Sequence, residues 1–321
     1  MANIVMGQVD CLKSVNNTGA AKCPFDIEQI VGAIHVPKDS KLTAAEMLVL
    51  KTAIDANIQM VSKAGRWFPV QTFVNVEDKS SELQMETTGY GGTRIGPDGK
   101  YHWVFEHDGK LSGHKQLSSF HNMQSDYAVY FIDGKIFDNG AIIGVDKGDG
   151  NLYPFPVEMM YVPLFKIGGA AGSKASIGYQ LLNSDDLNQN VQYVPLPSTM
   201  RPSTIVGLEQ TYLAMTSATL SSTGACTLEL RGDTTNLYDR YSTNFGNIIK
   251  AYNNVTGAAI TITSTTPNAI AKNFAMDLDS ADMDWPASAG GEVKFVFGDM
   301  DDIIVEDIYG LSDCELVVAR A

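Results

Sequence analysis

Residues 86–138 read ETTGYGGTRIGPDGKYHWVFEHDGKLSGHKQLSSFHNMQSDYAVYFIDGKIFD, and this stretch decides which fold the chain can adopt. It contains three Asp-Gly pairs, at residues 98–99, 108–109 and 133–134. Such pairs favour tight hairpin turns, because glycine accepts a positive φ without a steric clash. The segments between them are rich in Tyr, Trp, Phe, Val and Ile, which are typical of β-strands. The stretch therefore predicts an antiparallel β-meander.

The segment at residues 127–132 is apolar on both of its alternating faces. A strand with one face in water alternates apolar and polar side chains, so this strand is covered on both sides. The cover comes either from its own chain or from another subunit. We favour another subunit and predict an oligomer interface. The predicted interface residues are Tyr127, Val129, Tyr130, Phe131 and Ile132.

The totals describe a globular protein of 321 residues, with 44% apolar and 19% charged residues, which is long enough for two domains. The net charge of −14 disfavours tight binding of nucleic acid, because such binding needs clustered Lys and Arg. It is compatible with a surface past which nucleic acid slides, since like charges repel.

The N-terminal sequence MANIVMGQVDCLK lacks the basic start and apolar run of a secretory signal. No apolar segment approaches the roughly 20 residues that a membrane-spanning helix needs. We therefore expect a soluble protein made in a cytoplasm and no membrane partner. The four cysteines form no CxxC pair, and a bridge between Cys11 and Cys23 remains open.

One helix is predicted at residues 44–64. Thr43 and Glu46 form a capping box at its start, and Gly65 stands where a C-terminal cap belongs. Apolar residues recur between them at spacings of three and four, and such a helix in a β-rich chain most simply packs across a sheet. These residues are Met47, Leu50, Ile54, Ile58 and Val61.

A domain boundary is predicted near residue 197, because residues 193–202 hold three prolines and suit a linker. Residues 198–321 carry 16 acidic and 7 basic side chains, whereas residues 1–197 carry 21 and 16. The second domain, 198–321, shows short strand signals separated by turn residues, which indicates an immunoglobulin-like β-sandwich. The first, 1–197, is predicted to be a β-sandwich or meander with the flanking helix, so the fold class is mainly β.

Four histidines fall within twenty residues, but two histidines five apart on a strand face opposite ways, so we predict no metal site. They are His102, His107, His114 and His121. Residues 146–151, DKGDGN, lack the glutamate that closes a calcium loop, and we interpret them as a polar turn.

The remaining motifs also favour structural roles. The aspartates at 277, 279, 282, 284, 299, 301 and 302 are predicted to be solvated surface groups. Residues 89–92, GYGG, precede no helix that would complete a phosphate site. No GxSxG elbow occurs. We therefore predict no catalytic residues, no cofactor and no enzymatic activity.

The chain resembles virion structural proteins of tailed bacteriophages, most closely the tail tube type. Two stretches carry the resemblance. The first is residues 86–138 together with the strand and turn at 179–188. The second is residues 230–241, 253–264 and 286–297, which look like add-on domains of phage tail and capsid proteins.

The resemblance implies a β-sandwich flanked by one helix, followed by an immunoglobulin-like decoration domain. It also implies a homo-oligomer of hexameric stacked rings whose acidic lumen passes DNA without sequence recognition. Other virion proteins are the further partners, and the location is the virion. The meander would then form the ring wall, the helix would brace it, and residues beyond 198 would project outward.

Three other functions stay open. A capsid-associated or a baseplate protein of the same kind of virion would share the composition and the sandwich. A carbohydrate-binding or adhesion module would need exposed aromatic side chains along a groove, for which Trp103 and Trp285 are the candidates. An enzyme of another type would need His102, His107 and His114 to converge on a metal.

Overall fold

The chain is mainly β, as the sequence predicts, and it divides into two units, Met1–Gly207 and Leu208–Ala321. The structure is a computed structural model. It describes residues 9–10, 27–60, 63–81, 85–87, 93–95, 99–108, 111–135, 139–166, 174–188, 190–208, 211–216, 220–221, 223–232, 236–283, 291–297 and 314–319. None of the helices in these ranges is long and apolar enough to cross a membrane.

The first unit contains thirteen described strands, β1–β13, and four described helices, α1–α4. The strands are β1 (Val9–Asp10), β2 (Ile30–Pro37), β3 (Phe68–Gln71), β4 (Phe73–Asp78), β5 (Met85–Thr87), β6 (Thr93–Ile95), β7 (His102–His107), β8 (Tyr127–Asp133), β9 (Ala141–Asp146), β10 (Leu152–Tyr153), β11 (Val157–Tyr161), β12 (Ala175–Leu181) and β13 (Val191–Pro195). The helices are α1 (Ala44–Leu48), α2 (Leu50–Ile58), α3 (Leu111–Ser118) and α4 (Asp185–Asn188).

Two antiparallel sheets enclose the core of this unit. The larger sheet has the order β1-β13-β9-β8-β2-β3, with β10 paired to β9, and the smaller has the order β11-β12-β7-β4. Phe131 of the larger sheet meets Trp103 and Tyr179 of the smaller, with ring centroids 5.6 and 5.7 Å apart. All three side chains are almost completely buried, so the sheets form a β-sandwich.

The two N-terminal helices lie over the other face of the larger sheet. Tyr130 points to this face, where its hydroxyl donates to Leu152 O at 2.8 Å and its ring lies 5.5 Å from that of Trp67. The Trp67 N–H in turn donates to Asn57 O of α2 at 3.1 Å. The first unit therefore has three layers, with the larger sheet in the middle.

The capping box at the start of α1 is confirmed, since the Thr43 N–H donates to Glu46 Oε2 at 2.8 Å and the Glu46 N–H to Thr43 Oγ1 at 3.3 Å. The prediction of a single helix at residues 44–64 is wrong. Val49 leaves the helical region at φ −121° and ψ 42° and separates α1 from α2, which ends at Ile58. Capping signals predict where a helix starts, but no local signal marks this break.

Residues 86–138 do not form one meander. Helix α3 separates β7 from β8, and these two strands belong to different sheets. Asp133 is a buried residue of β8, and residues 134–140 connect it to β9, so the pair at 133–134 forms no two-residue turn. Asp98 and Gly109 of the other pairs, and residues 89–92, lie outside the described residues.

The proline-rich segment is not a free linker. Residues 191–195 form β13, and the Leu196 N–H donates to Gly140 O at 2.9 Å. The side-chain amide of Gln71 donates to the carbonyl oxygens of Pro202 and Ile205. The division between the units therefore falls after Gly207, ten residues beyond the predicted boundary, because residues 196–205 pack on the first unit.

The second unit contains eight described strands, β14–β21, and two short helices, α5 and α6. The strands are β14 (Tyr212–Met215), β15 (Ala225–Arg231), β16 (Ile249–Asn253), β17 (Ala259–Ile260), β18 (Ile262–Asn268), β19 (Asn273–Leu278), β20 (Glu292–Phe297) and β21 (Cys314–Ala319). The helices are α5 (Tyr238–Tyr241) and α6 (Phe245–Ile248).

The strand order of this unit is that of an immunoglobulin-like sandwich. One sheet has the order β14-β15-β19-β18 and the other β17-β16-β20-β21. Immunoglobulin domains place their first, second, fifth and fourth strands in one sheet and their third, sixth and seventh in the other. The second unit matches this order, with β17 added beside the third strand. Phe245 of α6 stacks on Phe274 in the core, with centroids 3.8 Å apart.

Candidate functional site

Strand β8 is the middle of a three-layer unit and not an exposed surface. Val129, Tyr130, Phe131 and Ile132 have no exposed area, and Tyr127 is partly buried. The smaller sheet covers one face and the helices cover the other. The apolar character of both faces is thus explained within one chain. The four fully buried residues belong to the core, where a second subunit cannot reach them, so the predicted oligomer interface is wrong for these four. For the partly buried Tyr127 it stays a prediction.

The four clustered histidines point to four separate partners. His102 Nε2 shares a hydrogen bond with the Tyr161 hydroxyl at 2.9 Å, and His107 Nε2 donates to Gln71 O. The other two lie elsewhere: the ring of His114 is 5.4 Å from that of Phe165, and His121 Nδ1 accepts from the Val162 N–H at 3.1 Å. No group of three metal-binding side chains converges among the described residues.

The loop at residues 146–151 uses its carboxylates to hold its own backbone. Asp146 Oδ1 accepts from the Gly148 N–H at 2.7 Å, and Asp149 accepts from the Asn151 N–H and from the Tyr153 hydroxyl. The hydrogen bond from Tyr153 is the main reason why the pKa of Asp149 falls to about 2. The loop is the polar turn that the sequence predicts.

Those aspartates of the C-terminal acidic run that the structure describes also accept hydrogen bonds from groups of their own chain. Asp277 accepts a hydrogen bond from the Ser264 hydroxyl at 2.8 Å. Asp282 accepts one from the Thr261 N–H at 2.8 Å, and this bond lowers the pKa of Asp282. Asp279 accepts from the Ala281 N–H at 2.9 Å. The aspartates at 284, 299, 301 and 302 lie outside the described residues, as do Cys11, Cys23 and Trp285. The two described cysteines, Cys226 and Cys314, are not joined by a disulfide bond.

Sequence reasoning missed a buried polar pair between the sheets of the first unit. His35 of β2 and Tyr179 of β12 share a hydrogen bond of 2.8 Å and have no exposed area. Burial lowers the pKa of His35 to about 3, so the imidazole is neutral. The pair has no access to a substrate, and its role is to join the two sheets. The strand character of residues 29–36, which end before Pro37, predicts a strand but not what His35 faces.

The β5–β6 hairpin is the element that lacks a sheet. Its two strands pair with each other in the register Met85–Ile95, Glu86–Arg94 and Thr87–Thr93. They pair with no other strand in the part of the chain that the structure describes. An isolated two-stranded hairpin is marginally stable in water, so a further strand beside it would stabilise it. It is therefore the candidate site of assembly.

The edge strands β3, β4 and β11 of the first unit are poorly suited to pairing with another chain. Each outer strand of the smaller sheet contains an irregularity, between Phe73 and Asn75 in β4 and between Val157 and Met159 in β11. In the larger sheet, edge strand β3 contains Pro69 and is tied by Gln71 to residues 202–205. Bulges, prolines and covering segments are features that protect sheet edges from strand addition.

No protein-family model and no curated protein matches the chain.

Proposed function

We propose that the protein is a structural subunit of a tailed-bacteriophage virion, of the tail tube type, which assembles with copies of itself into stacked rings. The observation that carries the proposal is the β5–β6 hairpin without a sheet partner among the described strands. In a ring, a neighbouring copy supplies the partner that the hairpin lacks. The ring size of six that the resemblance implies is part of the proposal.

The architecture supports this function. A helix-flanked β-sandwich is followed in the same chain by a unit with immunoglobulin-like strand order. This is the combination that the resemblance to tail tube proteins implies. The hydrogen bonds of His102, His107 and His121 and of the described aspartates bind groups of the same chain, so these residues are better explained as structural than as catalytic.

The charge supports a conduit for DNA. The chain carries 37 acidic and 23 basic residues, a net charge of −14. A ring of such chains multiplies this charge, and an acidic lumen repels phosphates and releases few counterions. DNA would pass through such a ring as cargo without being held, and other virion proteins would contact its ends.

Electron microscopy of the concentrated, purified protein tests the proposal. Rings of uniform diameter, or tubes made of stacked rings, are the expected result. Shells or decoration of a capsid lattice would instead favour the capsid-associated alternative, and an isolated flat assembly would favour a baseplate protein. A protein that stays monomeric at high concentration in both microscopy and light scattering would contradict assembly as its function.

The carbohydrate-binding alternative loses one of its two candidate aromatic residues. Trp103 is 2% exposed and packs against Phe131 in the core of the first unit. It therefore lines no groove, and Trp285 lies outside the described residues. A saccharide site would therefore require a surface other than that of Trp103.

A further inference from the structure

The second unit has a cleft where the chain crosses from one sheet to the other. Strand β17 is two residues long and pairs only with Ala251 and Tyr252 of β16. The chain then leaves through Thr261 and becomes β18, the outer strand of the opposite sheet. The first part of β16 therefore has no β17 residue beside it. The resulting cleft has a volume of about 500 Å³, within the usual range of small-molecule sites.

The approach of α6 to β18 forms one end of this cleft. A Cβ placed on Gly246 would lie 3.4 Å from Thr265 Cβ, which is ordinary van der Waals contact. Gly246 itself is exposed, and both residues line the cleft. A larger side chain at position 246 would therefore occupy space that a ligand now has available.

The cleft is lined by polar and aromatic side chains. Tyr252 and Lys250 of β16 are partly exposed, because they alternate with the buried residues Ile249 and Ala251. On the opposite side β18 contributes the sequence Thr263-Ser264-Thr265. The Thr263 and Ser264 hydroxyls donate to Asp277 O and Oδ2 at 3.0 and 2.8 Å, so their oxygens can serve a ligand as acceptors. An aromatic side chain and several hydroxyl oxygens in one cleft suit a ligand that has an apolar face and many hydroxyl donors of its own.

An extended peptide fits this cleft less well. It would have to add to the free edge of β18, which contains an irregularity between Ile262 and Ser264 and a proline at position 267. Both features oppose strand addition. Recognition at this site therefore depends on side chains more than on backbone pairing.

We propose that this cleft is a saccharide-binding site, in which Tyr252 stacks on the apolar face of a sugar ring and the hydroxyl oxygens of β18 accept hydrogen bonds from the polar rim of the sugar. The ligand is a short oligosaccharide. The site belongs to the second unit and does not rest on assembly into rings, so either proposal can fail without the other.

A glycan array carrying neutral and carboxylate-bearing oligosaccharides, probed with the full chain, tests the proposal. The oligosaccharide with the strongest signal is then titrated and followed by NMR. Tyr252→Ala is expected to weaken its binding about tenfold or more, because the stacking surface is lost. Gly246→Val is expected to weaken it as well, since the new side chain reduces the free space of the cleft.

Tyr212→Ala is the matched control. Tyr212 is an exposed tyrosine on β14, at the opposite edge of the sheet that contains β18, and this variant should bind as the unchanged chain does. Circular dichroism verifies that each variant is folded. The proposal is overturned if the folded chain binds no oligosaccharide at millimolar concentration. It is equally overturned if Tyr252→Ala and Tyr212→Ala bind alike, or if a peptide competes for the cleft.

Discussion

His35 is the residue at which the packing of the first unit is coupled to pH. Its imidazole bonds to Tyr179 across the two sheets, and its ring lies 4.1 Å from that of Phe120. Burial lowers its pKa from 6.5 to about 3. Between these two pH values the unfolded chain binds a proton at this residue and the folded chain does not.

The free energy of unfolding should therefore fall as the pH drops below 6.5. Lowering the pH from 7 to 5 is expected to cost roughly 2 kcal/mol through His35. His35→Gln keeps an amide for Tyr179 but does not titrate, so its urea-unfolding midpoint should depend less on pH. Equal pH dependence of the two proteins would show that His35 is not protonated on unfolding in this range.

At the scale of elements, strand β8 and the β5–β6 hairpin differ in what they pack against. Strand β8 is apolar on both faces because it lies between a sheet and two helices, so Tyr130→Asp would test folding and not assembly. The β5–β6 hairpin, in contrast, has no sheet partner among the described strands. Assembly is therefore best tested at the hairpin.

Arg94→Pro is expected to abolish assembly while it leaves the thermal stability of the subunit nearly unchanged. Proline removes a backbone donor from β6, where Arg94 pairs with Glu86, but among the described strands the hairpin shares no sheet with the core. Arg94→Lys keeps the backbone donor and serves as the control. Sedimentation velocity measures assembly and calorimetry measures stability. Assembly of Arg94→Pro at the level of Arg94→Lys would exclude the hairpin as the contact.

At the scale of the whole molecule, the position of the boundary between the two units determines where the chain can be truncated without removing part of the first unit. Met200 and Ile205 are 2% and 1% exposed, although Met200 lies in the proline-rich segment that suggests a linker and Ile205 follows it by three residues. The bonds from Gln71 hold this segment against β3. Residues 198–207 therefore belong to the first unit as packed structure.

Residues 1–207 alone should be more stable than residues 1–197 alone, by about 3 kcal/mol or more. The shorter fragment loses the buried side chains of Met200 and Ile205, each worth roughly 1.5–3 kcal/mol. It also loses the two carbonyl partners of Gln71. Urea unfolding of both fragments measures the difference. Equal stability would mean that the segment does not contribute to the first unit.

The sequence by itself determined the elements that depend on local chemistry. Runs of aromatic and β-branched residues between turn signals predict the mainly β class. Thr43 and Glu46 predict the start of the first helix, and the aspartates of residues 146–151 predict a polar turn. Each of these depends on side chains a few residues apart. The immunoglobulin-like character of the second unit is also predicted, because regular spacing of short strands limits the possible architectures.

Only the tertiary structure decided what each element packs against. Two apolar faces on β8 indicate that both faces are covered, but not whether a helix of the same chain or another subunit covers them. In the same way, prolines stiffen residues 195–202 whether that segment is free or packed. The burial of His35 and the cleft beside Tyr252 depend on residues that are distant in sequence, and local patterns contain no information about such contacts.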